Sequence, residues 1–374
     1  MKGGGMFRTT LDFTLRAFVT WMFRARPPEL TFFMGAVAIL VPSLGANFAL
    51  SFSHETPEGG TSLEVSTSGD TATGILGLIS AACVLIIGVS LLMGYRRFTA
   101  EMQRAGRKRV VVLEGRGLRD DDGSPLSAAV PSEIPGTRIP LLLDLRQKDG
   151  VIRDPEELLE LVCDAKKTIR QLSKDGDRSD LALVYGGLTA VPFTFLTGIL
   201  LDDEGSIFVM DWDRSAERWR ALDGEDDGVR FETSGLDALD GARDVVLAVS
   251  VSYFVKEEDI RTAFVHPVVR LTLPDYSSSH WSPVKQSALA DDLFAVLKHL
   301  DAVGVARVHL LLAAPNSVAF NFGRRYDKRN LPAVIVYQYE RSREIRYPWG
   351  VEMPVAGLQT ARVVSGHAAM LEGI

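Results

Sequence analysis

Cysteine is nearly absent: Cys83 and Cys163 are the two thiols in 374 residues. Neither has a partner at the spacing of a disulfide framework, a zinc site or a redox motif, so a reducing compartment suits most of the chain. Basic excess is also missing. The formal net charge of -7 excludes a broad phosphate-reading face, and with it duplex nucleic acid as a partner. The sequence has no HExxH, no nucleophile elbow, no phosphate-binding P-loop and no paired metal ligands at a recognisable spacing. His266, His280, His299, His309 and His367 are scattered, and Asp211 with Asp213 reads as a solvated strand end. We therefore expect no catalytic residue, no metal and no cofactor.

Charge is missing altogether from two long stretches, residues 30–52 (LTFFMGAVAILVPSLGANFALSF) and 73–95 (TGILGLISAACVLIIGVSLLMGY). Each has about the 20 residues a helix needs to cross a bilayer. A signal peptide does not fit, because the first run starts late and a second follows it. The segment between them carries Glu55, Glu58, Glu64 and Asp70 but no Lys or Arg, whereas Arg8, Arg16, Arg24 and Arg26 precede the first run and Arg96, Arg97, Arg104, Arg107, Lys108 and Arg109 follow the second. The positive-inside rule then places both termini in the cytoplasm. Residues 1–29 read as a cytoplasmic or interfacial segment, with 6–24 either an interfacial helix or an extension of the first span. Residues 30–95 read as the membrane hairpin and 96–108 as a basic juxtamembrane linker. Asn47, Gly77, Ala81, Ser90 and Gly94 suit helix association in the membrane, within the hairpin or between copies.

From residue 109 the pattern changes to short β-branched runs alternating with amphipathic helices, the mark of an α/β fold. Strands are predicted at 110–113, 139–146, 181–185, 207–211, 245–250, 268–273, 308–312 and 334–339, and helices at 155–172, 190–200, 287–302 and 318–326. The second half lies over the first without gaps, 181–195 on 308–322 and 207–214 on 334–341. That register keeps Phe193 with Phe320, Phe195 with Phe322, Trp212 with Tyr339, Asp213 with Glu340 and Arg214 with Arg341. Two copies of one fold, 109–222 and 243–374, are expected.

In open sheets a ligand sits outside the carboxyl ends of the strands. Gly186 and Thr189 in one copy, and Asn316 and Ser317 in the other, let a phosphate approach backbone N–H groups where a helix starts. Tyr185, Trp212, Tyr253, Trp281 and Tyr339 lie near strand ends and suit base stacking. Arg116, Arg214, Arg324, Arg325 and Arg341 are available as phosphate partners, with Arg214, Arg324 and Arg341 expected in the site, and Ser252 completes the candidate set. Taken singly, each aromatic at a strand end is more often core than site; the convergence of residue classes carries the expectation.

The string VHLLLAAPNSVAFNFGRRYDKRNLPAVIVYQYE at 308–340 resembles the hallmark segment of the SAVED domain, as does VVLAVSVSYFVKEEDI at 245–260. The resemblance covers roughly the last two-thirds of the chain. It implies two fused Rossmann-like, CARF-type units that bind a cyclic oligonucleotide, here a cyclic tri- or dinucleotide. With the membrane hairpin in front, it implies a transmembrane SAVED effector of a bacterial cyclic-oligonucleotide-based antiphage signalling system (CBASS). Such a chain is expected to homo-oligomerise and disrupt the inner membrane, causing abortive infection, with lipid bilayer and further copies as partners. A membrane-tethered phosphodiesterase and a plain scaffold are the competing readings. Gly187 and Pro192 stand where Ala314 and Ala319 stand in the second copy, so the two halves of a pocket are unequal and suit an asymmetric ring.

Overall fold

The computed structural model describes residues 28–45, 49–54, 61–66, 70–117, 124–147, 152–174, 180–276, 279–327, 329, 331–355 and 360–366. The reading of 6–24 as interfacial, and Asn47, lie outside the described residues. The chain divides into two compact units, Met1–Ala105 and Gly106–Ile374.

In the first unit, helix α1 spans Pro28–Gly45, strands β1 (Ala49–His54) and β2 (Thr61–Ser66) pair antiparallel, and helix α2 spans Asp70–Arg107. Helix α1 does not run to residue 52 as expected. Pro42 cannot donate to the helix ladder and Gly45 is a favoured stop, after which Leu50 and Phe52 alternate with Ser51 and Ser53 in a strand period. The end of the first uncharged run thus contributes β1, and the segment between the two runs β2, of an antiparallel pair. Among the described residues one helical stretch, Gly77–Ala100 within α2, is long and apolar enough to cross a membrane. Large apolar side chains on it, Leu78, Val84, Leu85 and Leu91, are exposed, while Cys83 and Ser90 are buried. An apolar surface turned outward is what a lipid-facing helix shows. Arg97 Nη1 meets Glu29 Oε1 at 3.0 Å, which places the start of α1 beside the later part of α2.

The second unit holds two mixed sheets. The first contains β3 (Arg109–Arg116), β4 (Thr137–Asp144), β5 (Leu181–Leu188), β6 (Ile207–Asp213) and β7 (Arg218–Ala221) in the order β4-β3-β5-β6-β7. The second contains β8 (Glu232–Ser234), β9 (Asp244–Ser250), β10 (Val268–Thr272), β11 (Arg307–Ala313), β12 (Ala333–Gln338), β13 (Trp349–Glu352) and β14 (Arg362–Ser365) in the order β14-β13-β12-β11-β9-β10-β8. In each, four parallel strands run second-first-third-fourth and an antiparallel strand follows the fourth. Helices α3 (Leu126–Ala129), α4 (Pro155–Lys174) and α5 (Val191–Leu200) make the crossovers of the first sheet. Helices α6 (Glu257–Arg261), α7 (Pro283–Ala302) and α8 (Asn316–Arg325) make those of the second.

Central strands are buried on both faces, which is why they read as continuous β-branched runs. Val111 and Leu113 of β3 and Val245, Leu247 and Val249 of β9 join one common core with α4, α5, α7 and α8. Val110 and Val112 face a separate cluster with Trp212 and Trp219, and Val246 and Ala248 one with Phe264 and Tyr337. The two halves therefore share a core through one face of each sheet.

Helices α5 and α8 meet at its centre. A Cβ on Gly198 would lie 2.2 Å from the Phe320 carbonyl oxygen, and one on Gly323 would lie 2.0 Å from that of Phe195. This reciprocal contact pairs Phe195 with Phe320 and Gly198 with Gly323, two residues off the ungapped sequence register. The slip arises because α5 starts three residues after β5 ends and α8 three after β11, while β5 is one residue longer and is offset in register.

Candidate functional site

Where the parallel strands end, a cavity of about 750 Å³ opens. Its walls come from both sheets: Thr189 after β5, Asp211 to Ser215 at the end of β6, Val251 to Tyr253 after β9, Ala313 to Asn316 after β11, and Tyr337 to Tyr339 at the end of β12. The segment before α7 adds His280, Trp281 and Lys285. Convergence of strand ends from two sheets is the open-sheet rule applied twice.

Of the residues singled out in the sequence, Thr189, Trp212, Arg214, Ser252, Tyr253, Trp281, Asn316 and Tyr339 line this cavity. Tyr185 does not. It is buried in the shared core, its ring stacked on Phe320 at 3.8 Å between centroids. Gly186 packs against Leu126 and Trp219 on the other face of its sheet. Ser317 is buried behind the wall, its Oγ accepting from Gln286 Nε2 at 3.0 Å. Arg324 lies in another groove, where its Nη2 donates to the carbonyls of Glu204 and Gly205. Arg341 is exposed in the turn after β12, its carbonyl accepting from Arg346.

Gln338, Arg220, Tyr276 and Lys285 also line the cavity and are not among the residues expected there. Gln338 is recoverable from its position beside Tyr339 at a strand end. Lys285 carries no such signal: at the first turn of α7 it reads as a surface lysine, yet it is buried and paired with Asp227 Oδ2 at 2.7 Å.

The helix starts do not present their N–H groups to the cavity in the expected way. Ser317 N donates to Asp211 Oδ2 at 3.1 Å, Val191 N to Gln338 Oε1 at 3.2 Å, and Thr189 N to Asn316 Oδ1 at 3.2 Å. Each acceptor comes from the opposite half. A carboxylate or amide oxygen at a helix N-terminus satisfies the orphan donors and the positive end of the dipole. Asn316 Oδ1 also accepts from Thr194 Oγ1 at 2.7 Å, and Thr194 Oγ1 meets Thr189 Oγ1 at 2.7 Å.

Aromatic faces and charges of both signs remain on the walls. The Arg220 guanidinium lies 4.6 Å from the Trp281 ring centroid and its Nη2 bonds Asp223 at 2.7 Å. Arg214 is exposed at the rim. Asp213 is held below the usual carboxylate range by the Ser215 hydroxyl and the Ala216 N–H. Burial pushes the His280 imidazole down from its usual range, with Asp211 opposing. Trp212, 8% exposed, keeps a buried Nε1 without a hydrogen-bond partner among the described residues. Among the described residues no group of three His, Cys, Asp or Glu is placed to hold a metal ion.

Residues 163–353 match the family model of SAVED, the SMODS-associated and fused to various effectors sensor domain. The chain belongs to the SAVED family. Residues 8–159 match the SAVED-fused 2TM effector domain, so a SAVED sensor is joined here to a membrane-associated effector domain. No curated relative matches the SAVED chain by sequence. Solved structures similar to it include the Acinetobacter baumannii Cap4 SAVED/CARF-domain containing receptor with the cyclic trinucleotide 2'3'3'-cAAA, at 11% identity and a TM-score of 0.44, covering 76% of this chain and 59% of that one. The Moraxella osloensis Cap4 receptor is similar at 12% identity and a TM-score of 0.40, covering 76% and 58%. The chain thus spans about three-fifths of the length of those receptors.

Proposed function

We propose that the cavity of about 750 Å³ binds a cyclic di- or trinucleotide and that the bound ring drives copies of the chain to assemble through the membrane domain. Assembly disrupts the bacterial inner membrane and aborts infection, in a CBASS-like system, with both termini in the cytoplasm. The two sheets act as two fused Rossmann-like units, each giving one half of the pocket. The observation that carries the reading is the joint construction of one aromatic-lined cavity by strand ends of both sheets, in a sensor domain fused to a two-transmembrane effector domain. Trp212, Tyr253, Trp281 and Tyr339 stack on bases, Arg214 and Arg220 meet phosphates, and Ser252, Thr189 and Asn316 supply polar contacts. Tyr185, Gly186 and Ser317 support the walls, and Arg324 and Arg341 stand apart from it.

Ring binding acts as a population shift: it favours assembly only by its higher affinity for the assembled state. Gly35, Gly77, Gly88 and Gly94 have nothing within 4 Å of a Cβ position among the described residues, which leaves small faces for a second copy. The test titrates the detergent-solubilised chain with a panel of cyclic di- and trinucleotides, follows particle mass by light scattering, and measures dye release from vesicles. Tight binding of one ring with growth in mass and dye release supports the proposal; no binding across the panel sinks it.

A further inference from the structure

Toward the C-terminal end of α8 lies a second groove, of about 440 Å³, that shares no lining residue with the larger cavity. Its floor is apolar, built from Ile207, Phe208 and Val209 of β6 with Leu222, Pro283 and Ala290, and its polar edge is Ser287, Asn321, Arg324 and Arg325. That composition, an apolar bed with a few convergent polar groups, is what a small-molecule site requires.

Among the described residues no carboxylate reaches ion-pair distance of Arg324. Its Nη2 is held by two backbone carbonyls, Glu204 at 3.1 Å and Gly205 at 2.8 Å, and its buried Nε has no hydrogen-bond partner among the described residues. Burial pushes its guanidinium down, with Asp202 alone opposing. A half-buried cation held only by carbonyls is electrostatically incomplete. Its neighbour Arg325 is balanced, since Nε bonds Asp291 Oδ1 at 2.7 Å, and Asn321 Nδ2 is engaged by Gln286 Oε1 at 2.6 Å. The donors at this edge are thus the guanidinium of Arg324, the N–H groups Arg325 does not spend on Asp291, and the Ser287 hydroxyl. Three donor groups suit the three oxygens of a phosphate monoester better than the two of a carboxylate.

We propose that this groove binds a small organic phosphate monoester, its apolar body on the β6 floor and its phosphate at Arg324. The proposal does not depend on the ligand of the larger cavity. The test is calorimetric titration of the full chain in detergent with phenyl phosphate, beside benzoate and phenol as carboxylate and neutral comparisons. Phenyl phosphate is expected to bind most tightly. Arg324→Gln is expected to weaken it by about tenfold or more, the loss of a charge-assisted hydrogen bond. Ser287→Trp, at an exposed helix position, fills the groove and is expected to abolish binding with the melting temperature retained, so it carries the test should Arg324→Gln fail to fold. No binding of phenyl phosphate, binding that survives both variants, or a preference for phenol overturns the assignment.

Discussion

The Asp211 carboxylate accepts a hydrogen bond from the Ser317 backbone N–H at 3.1 Å, so a strand end of the first sheet caps a helix of the second. Its other oxygen accepts from the Trp212 N–H at 2.8 Å. One acid therefore fixes the start of α8 and the backbone of an aromatic wall residue. Asp211→Ala is expected to cost about 1–3 kcal/mol, the penalty of leaving buried donors unpaired, and to weaken ligand binding as well. Chemical denaturation and ring titration measure the two effects; unchanged stability would mean the cap contributes nothing.

Gly323 and Gly198 let α5 and α8 approach at backbone distance. Gly323→Ala is expected to destabilise by about 1–3 kcal/mol or more through overpacking. Gly205→Ala, where among the described residues nothing lies within 4 Å of the new methyl, is the control and is expected to be nearly neutral. Comparable melting temperatures for the two variants would refute the close-packing argument.

Trp281 is 9% exposed and carries the Arg220 guanidinium on its ring. If it stacks on a base, Trp281→Ala removes about 1–3 kcal/mol of binding, an expected tenfold to hundredfold loss in ring affinity at unchanged particle mass without ligand. Titration of the detergent-solubilised variant checks this, and affinity within twofold of the parent would remove Trp281 from the site.

Acid sensitivity is expected from His309, 1% exposed in β11, with Nδ1 3.0 Å from the Tyr337 hydroxyl, Nε2 3.5 Å from Asp244 and its ring stacked on His266. Burial pushes its imidazole below the usual 6.5, outweighing the pull of Asp244. Between the folded and unfolded values the unfolded chain binds more protons, so stability falls as pH drops below about 6.5. Asp244 is held low chiefly by His309, and its own contribution is lost only in stronger acid. His280 shifts in the same direction as His309. His309→Gln is expected to flatten the slope of unfolding free energy between about pH 7.5 and 5.5, by at most about 1.4 kcal/mol per pH unit. An unaltered slope would assign the sensitivity elsewhere.

Gly94 lies in the apolar stretch of α2 with open space around it. Gly94→Leu is expected to leave ring binding intact and to abolish dye release, because a bulky side chain keeps neighbouring helices apart. Dye release at the parent level would show that copies associate through another face.

The α/β character was legible from local pattern, as were the eight parallel strands and four long crossover helices found among the described residues, because parallel strands and amphipathic helices leave local periodicities. Trp212, Asn316 and Tyr339 were legible as residues near strand ends, which is where the cavity opens. Short antiparallel returns such as β7, β13 and β14 were not legible, since runs of four residues such as RWRA and WGVE carry too little pattern. Helix α1 was overextended because an uncharged run does not announce where its period changes from helix to strand. The core position of Tyr185, the burial of Lys285 and the reach of Asp211, Gln338 and Asn316 to the opposite half follow from packing alone. These facts depend on contacts between residues up to 147 positions apart, and no local pattern encodes how two sheets pack through a shared face.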